Sequence, residues 1–282
     1  MASGLVSCTS SPSTQPPFST TIRVNCKRNM EEKLSSIAKT LKPSSIQQLF
    51  FLAAERSNAV DLAVGFPDFP APQHIKAAAV SAITSDINQY SYNMMSIINP
   101  GDEVILFDPC FEIYETCILM AGGVPVYVAL DPPYWTLDET KLSDAFTSNT
   151  KALVLNSPHN PTGKVFDMDE LRLIADYCRT KDCIAITDEV YEHIIYDNEP
   201  HISLSSLPGM QKRTIITSSL SKTYSVTGWR IGWAIGPSCV AFAIKNIHTK
   251  LTDCAPAPFQ EAALTALRSP PEYYRSLRKV DT

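Results

Sequence analysis

The sequence predicts an α/β protein whose sheet is mostly parallel and covered by helices on both faces. Three observations carry that reading. Short β-rich apolar runs recur between residues 104 and 235, longer segments of helical period separate several of them, and the polar residues suited to chemistry follow the runs at once. Alternation of this kind implies parallel strands joined by helical crossovers. In such sheets ligands bind outside the carboxyl ends of the strands.

Taken in order, the expected strands are 104–107, 124–130, 152–156, 183–187, 214–218 and 231–235. The expected helices are 111–121, 138–146 and 168–180. The last repeats apolar residues at three and four (Leu171, Ile174, Ala175, Cys178), which makes one buried stripe.

A chain of 282 residues holds one large domain, or one and part of a second. Its 44% hydrophobic and 19% charged residues are those of an ordinary globular protein. A net charge of -5 with no basic stripe argues against a nucleic-acid partner. The longest apolar stretch, 231–244, is broken by Gly236, Pro237 and Ser238, so no membrane span is expected. Eight cysteines lie singly, without the close pairing of a zinc site, and are expected to be mostly buried thiols in a reducing compartment. The five histidines are dispersed too, and no metal site is expected.

Residues 1–30 are rich in serine and threonine, carry Arg23, Lys27 and Arg28, and hold no acidic residue. Such a leader reads as an organellar transit peptide, plastid before mitochondrion, with a disordered tail as the other reading.

The chemistry begins after the strand at 214–218, in SLSKTYSVTGWRIG, 219–232. A lysine just past a strand end, Lys222, can be held over a cofactor and desolvated, which favours the neutral amine that condenses with an aldehyde. Ser219, Ser221 and Arg230 are phosphate-binding types, and Gly228 and Gly232 permit close backbone approach. Asp188 opens DEVYE after 183–187, where a buried carboxylate needs a cation, such as a protonated pyridinium, or else caps a helix. Tyr191 lies three residues on, within reach of a ring's phenolic oxygen. In NSPHNPTG, 156–163, prolines stiffen the loop, Gly163 supplies a turn, and Asn160 offers an amide to an oxyanion.

These three strings, in this order, resemble the fold-type I pyridoxal 5'-phosphate (PLP) enzymes, class I/II aminotransferases. GFPDFPAP (65–72), NQY (88–90), NPGDEVILFDP (99–109) and DEVYEH (188–193) are similar to the kynurenine aminotransferase and glutamine transaminase K branch. The resemblance runs from about residue 45 to the C-terminus. With the leader (1–30) read from composition, it implies an arm with the start of the domain (31–95) and a PLP-binding large domain (96–282).

The resemblance also implies Lys222 as the Schiff-base lysine that moves the proton, and Asp188 on the pyridine nitrogen. Asn160 and Tyr191 would meet the 3'-oxygen, Phe111 would stack on the ring, and Ser219 and Arg230, with Ser221, would hold the phosphate. Gly65 would lie near the substrate carboxylate, and Tyr90 would reach the partner's site in a homodimer. The implied activity moves an amino group from an aromatic, kynurenine, methionine or glutamine-like amino acid to a 2-oxo acid. Cysteine-S-conjugate β-lysis and a non-catalytic shortened chain are the other readings.

The sequence departs from the family in two places. After Tyr90 it reaches 97–100 almost at once, with no glycine between Gly65 and Gly101, where relatives carry a strand and a glycine-rich phosphate loop. No residue matches the carboxylate-binding arginine of the family's small C-terminal domain, which is expected to be absent. The expectation is that loss of a central strand and its helix uncovers apolar faces and that the chain alone transaminates poorly.

Overall fold

The structure is a computed structural model that describes residues 69–84, 97–197, 199–251 and 255–277. The leader, Gly65 and Tyr90 lie outside the described residues.

Six strands form one sheet: β1 (Glu103–Asp108), β2 (Val124–Ala129), β3 (Thr150–Asn156), β4 (Ile184–Asp188), β5 (Thr214–Ser219) and β6 (Gly232–Ile235). Their order is β2-β1-β3-β4-β5-β6, parallel throughout except that β6 runs antiparallel to β5. Among the described residues the helices are α1 (Gln73–Thr84), α2 (Glu112–Met120), α3 (Glu139–Ala145), α4 (Met168–Thr180), α5 (Ser238–Leu251), α6 (Ala257–Leu267) and α7 (Pro271–Ser276). Every strand and helix expected from periodicity is present, with ends shifted by a few residues.

The period-two pattern sorts each strand's side chains onto two faces. Ile105 and Phe107 of β1 and Leu153 and Leu155 of β3 pack with the α4 stripe Leu171, Ile174, Ala175 and Cys178. Val104, Leu106, Ala152 and Val154 turn to the opposite face, against Ile118 of α2. The start of α4 is closed by a capping box, in which Asp167 accepts from the Glu170 backbone and Glu170 returns a bond to the Asp167 backbone. Glu170 also pairs with Lys164 at 2.7 Å, both side chains largely shielded, which ties the loop after β3 to α4. Gly123 precedes β2 because a Cβ there would meet Ile98 at 2.7 Å.

The β1–β3–β4–β5 face opposite α4 carries this second layer of apolar side chains. It floors an apolar groove of about 240 Å³ bounded by Ile98, Val104, Ile118, Val154, Ile186 and Ile244, with Asp188 and Thr217 also in its lining. The side chains bounding it are themselves mostly buried, Val104, Ile118, Val154 and Ile244 among them, so the expected exposure of apolar faces is not seen among the described residues. The six described strands hydrogen-bond in unbroken series, so no strand is missing from between them. The cysteine expectation holds in part: Cys178 and Cys183 are buried, Cys110 is intermediate, and Cys117 and Cys239 are exposed.

Burial orders the energetics. Leu153 is wholly buried in β3, whereas Leu264 on α6 is 48% exposed. Leu153→Ala is expected to lose about 2–5 kcal/mol of unfolding free energy. Leu264→Ala should stay within about 0.5 kcal/mol of the parent. Urea titration followed by circular dichroism checks the pair, and equal losses would contradict the layering.

Candidate active site

Register places the chemistry. Asn156 of β3 faces Asp188 of β4, and Asp188 faces Thr217 of β5, so three strand ends form one row. The Asn156 side-chain amide donates to the Asp188 carbonyl at 2.9 Å, and its oxygen accepts the Asn160 backbone N–H at 2.6 Å. The loop after β3 is thereby hung on the end of β4. Gly163 takes the left-handed turn expected of it, at φ 74°.

Asp188 is one of the few polar residues lining the apolar groove. One oxygen accepts the Tyr114 hydroxyl at 2.6 Å and the other the Val190 backbone N–H at 3.3 Å. Burial raises the carboxyl pKa, the two donated bonds oppose that rise, and neighbouring Glu189 adds to it. No lysine or arginine pairs with Asp188 among the described residues. No helix starts at Asp188, so capping does not explain it.

Lys222 sits in the turn after β5. Leu220, Ser221, Thr223 and Tyr224 around it are all buried, and Lys222 alone of the five is part-exposed. Its ammonium lies 6.0 Å from the centroid of the Tyr191 ring. Burial, then the positive charge of Arg230, lowers its pKa, which favours the neutral amine. Tyr191 is shifted the other way, by burial and by Asp188.

The other expected residues have these local settings. Phe111 caps the start of α2 and meets Tyr114 edge-on at 5.8 Å. The Ser221 backbone N–H donates to the Ser219 hydroxyl at 3.2 Å. Arg230 is exposed, donates to the Thr227 carbonyl at 2.9 Å, and takes left-handed φ 59°, a conformation costing about 1 kcal/mol or more for a non-glycine residue. Gly232 supports the close-approach reading, since a Cβ there would meet the Ser218 carbonyl at 3.0 Å. Gly228 does not, because nothing lies within 4 Å of its Cβ position. Gly65 and Tyr90 fall outside the described residues.

Two features escaped the sequence reading. Tyr114 was legible only as the residue three after Phe111, on the same side of a helix start. Behind the strand ends, Glu189 accepts from Thr187 and Ser203 at 2.8 Å each and contacts His201 at 2.8 Å. Glu192 lies close by and accepts from Ser218 at 3.2 Å. Glu189, Glu192 and His201 thus converge despite their scatter in sequence, although protein donors already occupy the Glu189 carboxylate.

Residues 84–280 match the family described as aminotransferase class I and II. Human kynurenine–oxoglutarate transaminase 1 is 36% identical over 267 residues, using 76% of this chain and 63% of that protein. That span exceeds the residues this chain contributes to it, so the relative carries additional residues within the aligned range. The kynurenine–oxoglutarate transaminase of Dictyostelium discoideum is 35% identical over 89% of this chain and 73% of its own length. Among solved structures, N-succinyldiaminopimelate aminotransferase from Mycobacterium tuberculosis superposes with TM-score 0.81 at 32% identity, covering 87% of this chain and 75% of that one. YbdL from Escherichia coli, described with a methionine aminotransferase function, gives TM-score 0.76 at 27% identity, over 84% and 75% of the two chains.

The Asp188 environment has a pH signature. A carboxyl whose folded pKa is raised lets the unfolded chain release its proton first, so stability falls as pH rises through that window. Asp188→Asn, neutral and of the same shape, should therefore gain stability relative to the parent above the ordinary carboxylate range and lose the gain below it. Chemical denaturation at a series of pH values checks this; a pH-independent difference would contradict the desolvated carboxylate.

Proposed function

The chain belongs to the aminotransferase class I and II family, and from that membership we infer a PLP-dependent enzyme with Lys222 as its catalytic lysine and Asp188 as the charge partner of the cofactor ring. The reaction proposed moves an amino group from an aromatic, kynurenine, methionine or glutamine-like amino acid to a 2-oxo acid. The names of the human and Dictyostelium relatives support kynurenine as donor and 2-oxoglutarate as acceptor. The function described for the Escherichia coli protein supports methionine.

One observation carries the cofactor assignment: a desolvated carboxylate with no cationic partner among the described residues ends β4, and a lysine whose own charge is disfavoured lies in the turn after the neighbouring strand β5. That donor set fits PLP. When bound, PLP supplies an aldehyde for an amine and a protonated pyridine nitrogen that draws electrons from the reacting carbon. Asp188 would hold that nitrogen's proton, with Tyr114 fixing which carboxylate oxygen is turned away. Lys222, whose pKa burial and Arg230 lower, would provide the amine and would accept and return the substrate's α-proton. Ser219, Ser221 and Arg230 offer two hydroxyls and a planar guanidinium to the phosphate. Phe111 would lie against the ring, and Asn160 and Tyr191 would meet its phenolic oxygen.

A second reading, a chain that keeps the fold but turns over slowly, is favoured by the exposure of Arg230 and by the open apolar groove. We also propose a plastid location from the hydroxyl-rich leader, and a homodimer from family membership.

Borohydride reduction of the full chain with PLP is expected to leave a pyridoxyl group on the peptide containing Lys222, and Lys222→Ala should remove it. Labelling together with amino transfer to 2-oxo acids supports the enzyme reading. Labelling without turnover supports the second. Labelling confined to Lys245 or Lys250 overturns both.

A further inference from the structure

We propose that Tyr273 and Tyr274 of α7 are positioning residues for Lys222, holding the lysine's turn and the turn carrying Tyr191 in one rigid unit. The inference rests on the reading of Lys222 as the catalytic lysine and goes beyond it, because neither tyrosine belongs to the strand ends that bear the chemistry.

The contacts are specific. The Tyr273 hydroxyl donates to the carbonyl of Thr223, the residue after Lys222, at 2.6 Å. Its ring stacks on Tyr224, the next residue, with centroids 5.3 Å apart and planes within 1°. The Tyr224 hydroxyl donates to the Ala266 carbonyl at the end of α6 at 2.8 Å. Having one proton, it must then accept from Tyr274, whose hydroxyl lies 2.8 Å away. The Tyr274 ring also packs on His193 at 4.4 Å, two residues past Tyr191. One short helix therefore holds the Thr223 backbone on one side and the His193 ring on the other side of the 6.0 Å approach between Lys222 and Tyr191.

The grip is buried, which gives it leverage. Leu220, Tyr224 and Val226 share a core cluster with Ile75 and Ala79 of α1 and Ala262, Ala263 and Ala266 of α6, and Tyr273 and Tyr274 pack on it. This cluster is separate from the two that fill the sheet's faces. Anchoring of Thr223 and Tyr224 fixes the backbone from which the Lys222 side chain starts, and so limits how far its amine moves towards water. Its desolvation is then a property of the clamp as much as of the sheet.

The test uses the full chain without PLP, so that it reads the amine itself. Competitive acetylation across a pH series, quantified by peptide mass spectrometry with exposed Lys212 as internal reference, gives the titration midpoint of Lys222. Tyr273→Phe keeps the ring stack and removes the bond to Thr223; Tyr274→Phe removes the donor to Tyr224. Each is expected to move the Lys222 midpoint upward, towards an ordinary lysine. A half-unit rise leaves about threefold less neutral amine near neutral pH. Ile174→Val, a core change far from α7 in the sequence, controls for general loss of stability and should leave the midpoint in place.

The proposal is overturned if both tyrosine variants keep the parent midpoint, or if Ile174→Val shifts it equally. Should Tyr273→Phe fail to fold, the Tyr274→Phe midpoint decides alone. Failure of pyridoxyl labelling would sink the cofactor reading whatever the midpoint does. A fixed midpoint with labelling intact would sink only the role of α7.

Discussion

The alignment of β3, β4 and β5 is the constraint on which the rest depends. Parallel pairing in fixed register brings Asn156, Asp188 and Thr217 to one level at the carboxyl end of the sheet. A slip of one residue would turn each of these side chains to the other face and expose the alternation that fills both cores. The loops inherit their positions from that row. Asn156 hangs the Asn160 loop on β4, and the Glu189 backbone N–H donates to the Thr217 carbonyl at 2.8 Å, continuing the β4–β5 pairing past Asp188.

Two groups at that end are shifted in opposite senses by the same cause. Burial disfavours the charged form of any group, so it raises Asp188 and lowers Lys222. Each is thus uneasy as an ion, and a ligand that brings a ring cation to one and a carbonyl carbon to the other relieves both. Tyr114 moderates the first shift through its short bond to the carboxylate, and Arg230 reinforces the second. The site's electrostatics follow from where the strands end and from what covers the turns after them.

Much of this was legible in sequence because its signals are local. A buried strand followed at once by Asp188, and another by Lys222 among small hydroxyl residues, needs only periodicity and the rule that ligands meet strand ends. The α4 stripe and its capping box are local too. What was not legible depends on contacts far apart in the chain. Tyr114 lies 74 residues from Asp188, and Tyr273 lies 50 from Thr223. Glu189 meets His201 only because the chain after β4 folds back. Strand order was not legible for a related reason: a short connection before β1 says nothing about which strands neighbour each other, and the described strands take the order β2-β1-β3-β4-β5-β6 without a break.

The central claim is that Asp188 keeps a cofactor's ring nitrogen protonated. It is tested most directly by the ¹⁵N resonance of the pyridine nitrogen in isotope-labelled PLP added to the chain, in the parent and in Asp188→Asn. A protonated nitrogen in the parent across neutral pH, lost in the variant, is the expected result. A nitrogen that stays unprotonated in the parent, or is unaffected by the substitution, would contradict it.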